Sequence, residues 1–152
     1  MKRTSLMLAI MSGLFMILTI AATTGTAFAT NWVEVPGAEG RLYVDADSAV
    51  KQGSTMIYWE LLVYSPNDNT GSYNNVKVAK IAYKYEVDLR TPRKMRYVLI
   101  AHFDVNDRQI AGPSYHVGNW SPVSGRKATD LAFSLAKEGQ DTGIIPPPVS
   151  DR

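Results

Sequence analysis

The chain of 152 residues is long enough for about one domain, and it contains no cysteine. A disulfide framework, a thiolate metal site and a cysteine nucleophile are therefore excluded. The 16 Lys and Arg exceed the 14 Asp and Glu by two. Two of the basic residues, Lys2 and Arg3, belong to the first few residues, so the rest of the chain is near neutral and lacks the basic surplus of a nucleic-acid-binding protein.

The N-terminus has the pattern of a secretory signal peptide over residues 1–29. Lys2 and Arg3 precede an apolar run over 6–20, and Ala27-Phe28-Ala29 is a small-x-small cleavage site. An uncleaved membrane anchor is the alternative, but the run is short for a bilayer span of about 20 residues. We therefore expect cleavage near Ala29, a periplasmic or secreted protein, and no transmembrane segment in the mature chain.

Alternation of apolar and polar residues predicts that strands make up most of the mature chain. Long strands are predicted at 56–64, 76–89 and 95–103, and shorter ones at 32–35, 41–44 and 110–117. In the second long strand, Tyr83 and Tyr85 share an apolar face and Lys80 and Lys84 share a charged one. That pattern predicts an antiparallel sheet covered on one side only.

The two other long strands carry predicted faces of their own. In 56–64, Trp59 lies on the core face and Tyr58 on an aromatic outer face. In 95–103, the alternate residues from Met95 to Phe103 form one apolar set. All three tryptophans, Trp32, Trp59 and Trp120, are expected in the core.

One helix is predicted, from about 126 to 138. Ala128, Leu131, Ala132 and Leu135 recur at helical spacing, and Gly139 is a natural stop. Residues 139–152 include three consecutive prolines and few anchors, which predicts a flexible tail. The predicted fold is α+β: an antiparallel sheet of about six strands with one C-terminal helix packed across its apolar face, over 30–138.

Catalytic and metal-binding patterns are weak. His102 and His116 have no evident positioned partner, and no catalytic motif is present. The segment from Asp104 to Asp107 begins like a calcium loop, but it lacks the glycine and the final glutamate that such a loop needs, so a hairpin turn explains it better. We expect a non-catalytic protein without cofactor or metal.

The one local charge imbalance is the segment 90–96, in which four of seven residues are basic. If Lys80 and Lys84 on the charged face of the preceding strand lie near this segment, the two together form one basic patch. Such a patch could attract an anionic glycan, a lipid head group or a protein. A solvated hairpin whose charges discourage edge-to-edge pairing is the simpler alternative.

An ordered series of short motifs resembles the surface-adhesin protein E family of Gram-negative bacteria. The series is Trp32, Tyr43-Val44-Asp45 with Ser48, Gly53, Trp59, Tyr85-Glu86-Val87-Asp88, the following arginines, and Trp120-Ser121-Pro122-Val123 before the helix. It covers about residues 32–138. The resemblance implies an antiparallel sheet of about six strands with a C-terminal helix, and adhesion to host matrix proteins such as vitronectin and laminin. It also implies a contact surface, because the family's basic segment after its central strand matches this chain's basic segment. The candidate ligand-binding set is therefore Lys84, Arg90, Arg93, Lys94 and Arg96.

The chain departs from that family at its cysteine pair. Members usually carry one cysteine just after the Val-Asp pair and another in the terminal helix, and here Leu89 and a helix without cysteine stand in those places. We expect Leu89 to pack against the helix between Leu131 and Ala136 instead. The functional expectation is an exported binding module of the envelope. The alternative is a periplasmic structural or accessory protein that docks on another envelope protein.

Overall fold

The structure is a computed structural model that describes residues 31–115 and 117–148. The predicted signal peptide, its cleavage site, His116 and the last four residues lie outside the described residues.

The described residues form eleven strands and one helix. They are β1 (Trp32–Glu34), β2 (Leu42–Asp45), β3 (Val50–Gln52), β4 (Thr55–Val63), β5 (Ser72–Tyr73), β6 (Val76–Lys77), β7 (Lys80–Asp88), β8 (Lys94–Phe103), β9 (Gln109–Tyr115), β10 (Ser121–Pro122), α1 (Lys127–Leu135) and β11 (Lys137–Glu138).

Nine of the strands form one sheet with the order β1-β2-β4-β7-β8-β10. β9 also pairs with β8, β3 pairs with β4, and β11 extends β3 in the only parallel pairing of the sheet as described. The α+β class with one C-terminal helix is confirmed, but the expected six strands are too few. β3, β10 and β11 have two or three residues each, too few for alternation to reveal them.

The helix covers one face of the sheet. Its buried residues Ala128, Thr129 and Ala132 are in the same core as Met56 and Tyr58. The Tyr58 hydroxyl lies 2.9 Å from Thr129 Oγ1, inside this core. The predicted aromatic outer face of β4 is therefore wrong, because the helix packs over that face.

The opposite face of the sheet is also covered. Trp59, Leu61 and Phe103 belong to a second apolar cluster, and Ile145 of the C-terminal tail packs against it. Lys80 and Lys84 lie on this face and are only 3% and 7% exposed. The prediction of a charged face open to solvent is therefore wrong.

The C-terminal tail is anchored along residues 139–148, contrary to the expectation of few anchors. Lys84 donates a hydrogen bond to Asp141, and the indole Nε1 of Trp32 donates one to the carbonyl oxygen of Pro147, 2.7 Å away. Pro146 and Pro148 are buried. The contact with Asp141 explains why Lys84 is hidden, while Lys80 on the same face pairs with Asp107.

Candidate binding surface

Three connections of the chain meet at one end of the sheet. Thr55 at the start of β4 lies opposite Asp88 at the end of β7, and Leu89 N–H donates to the carbonyl oxygen of Ser54. The β3–β4 turn and the β7–β8 turn therefore lie close together. Phe133 in the last turn of α1 joins them through its contacts with Lys51 and Arg93. We call the basic residues at this end, Lys51, Arg90, Arg93 and Lys94, the basic end.

The ring of Phe133 lies at the centre of the basic end. The ammonium of Lys51 is 4.1 Å from the ring centroid, and the guanidinium carbon of Arg93 is 4.6 Å from it. Both distances are in the range of cation–π contacts. Within the described chain, neither cation forms an ion pair. The ring therefore holds two like charges in one place, and an anion would relieve their repulsion.

Arg90 is the member of the basic end that has an acidic partner. Its guanidinium bonds both carboxylate oxygens of Asp88, at 2.9 Å from Nε and 2.7 Å from Nη2. These bonds lower the pKa of Asp88 to about 2, so the carboxylate stays charged at neutral pH. With its charge offset in this way, Arg90 contributes less to anion attraction than Arg93 and Lys94.

The structure thus brings together three of the five predicted residues and separates the other two. Lys84 is buried beneath the tail, with its ammonium 5.9 Å from the centroid of Trp59. Arg96 pairs with Glu86 at 2.7 Å and lies 4.4 Å from the ring of Trp120. Sequence reasoning missed Lys51, because its strand of three residues gives no periodic signal.

A second exposed surface follows the edge strand β9. Tyr115 is 85% exposed, Val117 is 59% exposed and Trp120 is 41% exposed. The expectation of a core position for Trp120 is wrong. Exposed apolar side chains that form a contiguous patch are typical of protein contact sites. The guanidinium of Arg96, which lies on the ring of Trp120, is paired with Glu86. We call Tyr115, Val117 and Trp120 together the apolar segment.

The ion pair between Arg126 and the buried Glu60 has a structural role. Arg126 Nη2 lies 2.6 Å from Oε1 and 2.7 Å from Oε2 of Glu60, which is 4% exposed. Burial raises the pKa of Glu60, and the charge and hydrogen bonds of Arg126 oppose that rise. Because Arg126 is the N-cap residue of α1, the pair fixes the start of the helix to the sheet.

The histidine within the described chain has no catalytic geometry. The ring centroid of His102 is 4.8 Å from that of Tyr73, and burial lowers its pKa, which favours the neutral form. Its Nδ1 has no hydrogen-bond partner among the described residues. A general base needs a group that orients it, and the described surroundings of His102 supply none.

The Asp104–Arg108 segment is the turn between β8 and β9. One carboxylate oxygen of Asp104 accepts the backbone N–H groups of Asn106 and Arg108, at 2.8 and 2.9 Å. Burial opposes its charge, but these bonds and the Arg108 side chain lower the pKa of Asp104. The hairpin-turn prediction is confirmed. Among the described residues, no group of three or more His, Asp or Glu could hold a metal ion.

An apolar pocket of about 360 Å³ lies at the opposite end of the sheet, against this turn. Val63, Val78 and Val105 contribute to its lining. The buried Lys80 at its wall lies 2.7 Å from Asp107 Oδ1. Its size is at the lower limit for a small-molecule site, and Asp104 at its wall already pairs with Arg108.

The chain was compared with protein-family models, with curated proteins and with solved structures, and none of them matches it. Across the described residues, no helix combines the length and the apolar character that crossing a membrane requires.

Proposed function

We propose that the protein is an exported, non-catalytic binding module of the bacterial envelope, and that its basic end recognises anionic groups on a protein partner or glycan. The observation that carries the proposal is the pair of cations on the Phe133 ring, at 4.1 and 4.6 Å. The contacts preorganise both side chains, which lowers the entropy lost when they bind a ligand.

Adhesion to host matrix proteins is the specific form of this proposal. The resemblance to adhesin E implies vitronectin and laminin as ligands, and the signal-peptide pattern of residues 1–29 supports export. Arg93 and Lys94 are exposed, so they are accessible to a macromolecule. Attraction between such exposed charges weakens as salt screens them.

The test is binding of the mature chain to immobilised vitronectin, laminin and a heparin-like glycan over a range of salt. Replacing Arg93 and Lys94 with glutamine should weaken binding roughly tenfold, because each exposed ion pair contributes up to about 1 kcal/mol. Arg41→Gln is the matched control, since Arg41 lies at the other end of β4, where its carbonyl oxygen accepts the N–H of Val63. Absence of binding to all three ligands at physiological salt would refute adhesion.

Docking on another envelope protein is the second candidate, and the apolar segment favours it. Tyr115 and Trp120 expose large rings, and β9 is an edge strand to which a partner could add a strand. A stoichiometric bacterial partner recovered from an envelope extract, and lost with Tyr115→Ser but not with Arg93→Gln, would favour this function over adhesion.

A further inference from the structure

The C-terminal tail lies on the sheet in the way that a proline-rich ligand lies in a receptor. The indole N–H of Trp32 donates to the carbonyl oxygen of Pro147 at 2.7 Å. Pro146 and Pro148 on either side are buried, while Pro147 itself is exposed. Aromatic grooves that bind proline-rich segments use this combination of buried prolines and a bonded backbone carbonyl.

The tail is not a strand of the sheet that it covers. Residues 139–148 form no strand, and the contacts that anchor them include those of side chains. Ile145 packs against the cluster around Trp59, and Asp141 pairs with the buried ammonium of Lys84. A separate peptide of the same sequence could make all of these contacts.

The chemistry of the tail favours its binding to a second molecule. Prolines have a fixed φ, so a proline-rich segment loses little entropy when it binds. Residues 142–144 are exposed, and they connect the Asp141 anchor to Ile145. This connector leaves the proline segment at the end of a surface loop, from which it can reach a neighbouring molecule.

We propose that Trp32, Trp59 and Lys84 form a binding groove for proline-rich segments, and that the tail of a second copy enters this groove in exchange for the resident tail. In dilute solution the resident tail occupies the groove, because its connector gives it an effective concentration of about millimolar. At higher concentration, reciprocal exchange joins two copies. The proposal does not depend on the basic end.

The first experiment uses a labelled peptide with the sequence of residues 139–152 and the full chain. Pro146→Gly with Pro148→Gly should weaken the resident tail and leave the groove intact. We expect the peptide to bind this variant at least tenfold more tightly than the unaltered chain, by fluorescence anisotropy. The same peptide with both prolines changed to glycine is the matched control.

Trp32→Phe, added to the same variant, tests the indole hydrogen bond. It keeps an aromatic ring and removes the donor, so peptide binding should weaken roughly fivefold. If the variant with only Pro146→Gly and Pro148→Gly retains its far-UV circular dichroism and binds no peptide, the proposal is overturned. Equal binding of the proline and glycine peptides would overturn it as well.

A second design covers the case in which the glycine variant does not fold. A protease site placed between the exposed Thr142 and Gly143 lets the otherwise unaltered chain fold before it is cut. The labelled peptide should then replace the cut tail while the circular dichroism of the sheet persists. Loss of the sheet signal as the tail leaves would mean that the tail is part of the folding core, and the proposal would be wrong.

Exchange between copies has its own measurement. Sedimentation of the unaltered chain should show dimers that increase with concentration, and excess tail peptide should return them to monomers. A chain that stays monomeric at every concentration tested would contradict the exchange.

Discussion

At the residue scale, the Glu60–Arg126 pair is the feature with the clearest energetic consequence. Burial raises the pKa of Glu60 above the ordinary glutamate value, so the folded chain holds this proton more tightly than the unfolded chain does. The contribution of Glu60 to the free energy of unfolding therefore falls as the pH rises through the window above that ordinary value. Arg126 limits this loss by pairing with the carboxylate.

Removing the guanidinium should leave a buried carboxylate without its partner. We expect Arg126→Gln to lower the free energy of unfolding by about 3 kcal/mol at about pH 7. This value is near the lower end of the usual cost of breaking a buried ion pair, because the Arg126 side chain is itself 34% exposed. The loss should shrink toward about pH 4, where protonation of Glu60 removes the buried charge. Urea denaturation at both pH values measures it.

The matched control for that pair is Arg90→Gln. Arg90 also pairs with a carboxylate, but its side chain is 76% exposed, and exposed pairs contribute little to stability. We expect little change at either pH. A loss in Arg126→Gln that is the same at both pH values would contradict a charged, buried Glu60.

At the scale of elements, the helix residues that are buried have small side chains, while its larger apolar residues are only partly buried. Of its nine residues, Ala128, Thr129 and Ala132 are buried, and its N-cap residue makes no side-chain cap hydrogen bond. Leu89 packs against the same core as Leu131 and Leu135, but it is only half-buried. Leu89 and the helix therefore share one core, and direct packing of Leu89 between Leu131 and Ala136 stays a prediction.

We therefore expect Leu89→Ala to lower the free energy of unfolding by about 1–2 kcal/mol, less than the cost at a fully buried leucine. Leu89 follows the end of β7 and packs against the same core as the helix. The exchange rate of the helix amides with solvent should therefore rise before that of the β7 and β8 amides. Hydrogen exchange followed by mass spectrometry measures both effects.

Val105→Ala is the control for that substitution, since Val105 is 73% exposed. It should change neither the stability nor the exchange. Equal acceleration of exchange in β7 and in the helix would show that the helix does not detach separately.

At the scale of the whole molecule, both faces of the sheet are covered, one by α1 and the other by the tail. The two covers are held by different charge pairs, Glu60 with Arg126 and Lys84 with Asp141. Lys84, which the sequence predicted to contact a ligand, is the residue that the sheet contributes to the second pair. The charges that remain exposed at the basic end are the ones a partner could reach.

The export prediction also belongs to the whole molecule. The mature protein should begin at Thr30 or within one or two residues of it, because Ala27 and Ala29 place small side chains at the cleavage site. Intact-mass measurement on protein from the periplasm and the medium checks this. Replacing Ala29 with a large side chain should block cleavage. Molecules that mostly retain Met1 would contradict the prediction.

The sequence by itself determined the class of the fold, because long strands and a helix leave periodic patterns of apolar residues. It predicted β4, β7, β8 and α1 close to where they lie. It also located Arg90, Arg93 and Lys94, since a run of basic residues is visible without a fold. It could not locate Lys51 beside Phe133, because the two residues are far apart in the sequence and come into contact only when α1 packs near β3.

Only the tertiary structure decided which faces are buried. A register shift between β7 and β8, at Lys84 and Tyr85, leaves Met95 in the helix-side core but Leu99 and Phe103 in the opposite one. Strict alternation predicts that all three lie on one face of the sheet. A bulge changes the face of every residue that follows it. The tail hides Lys84 through Asp141 and bonds Trp32 through Pro147, contacts that no local pattern in the sequence encodes.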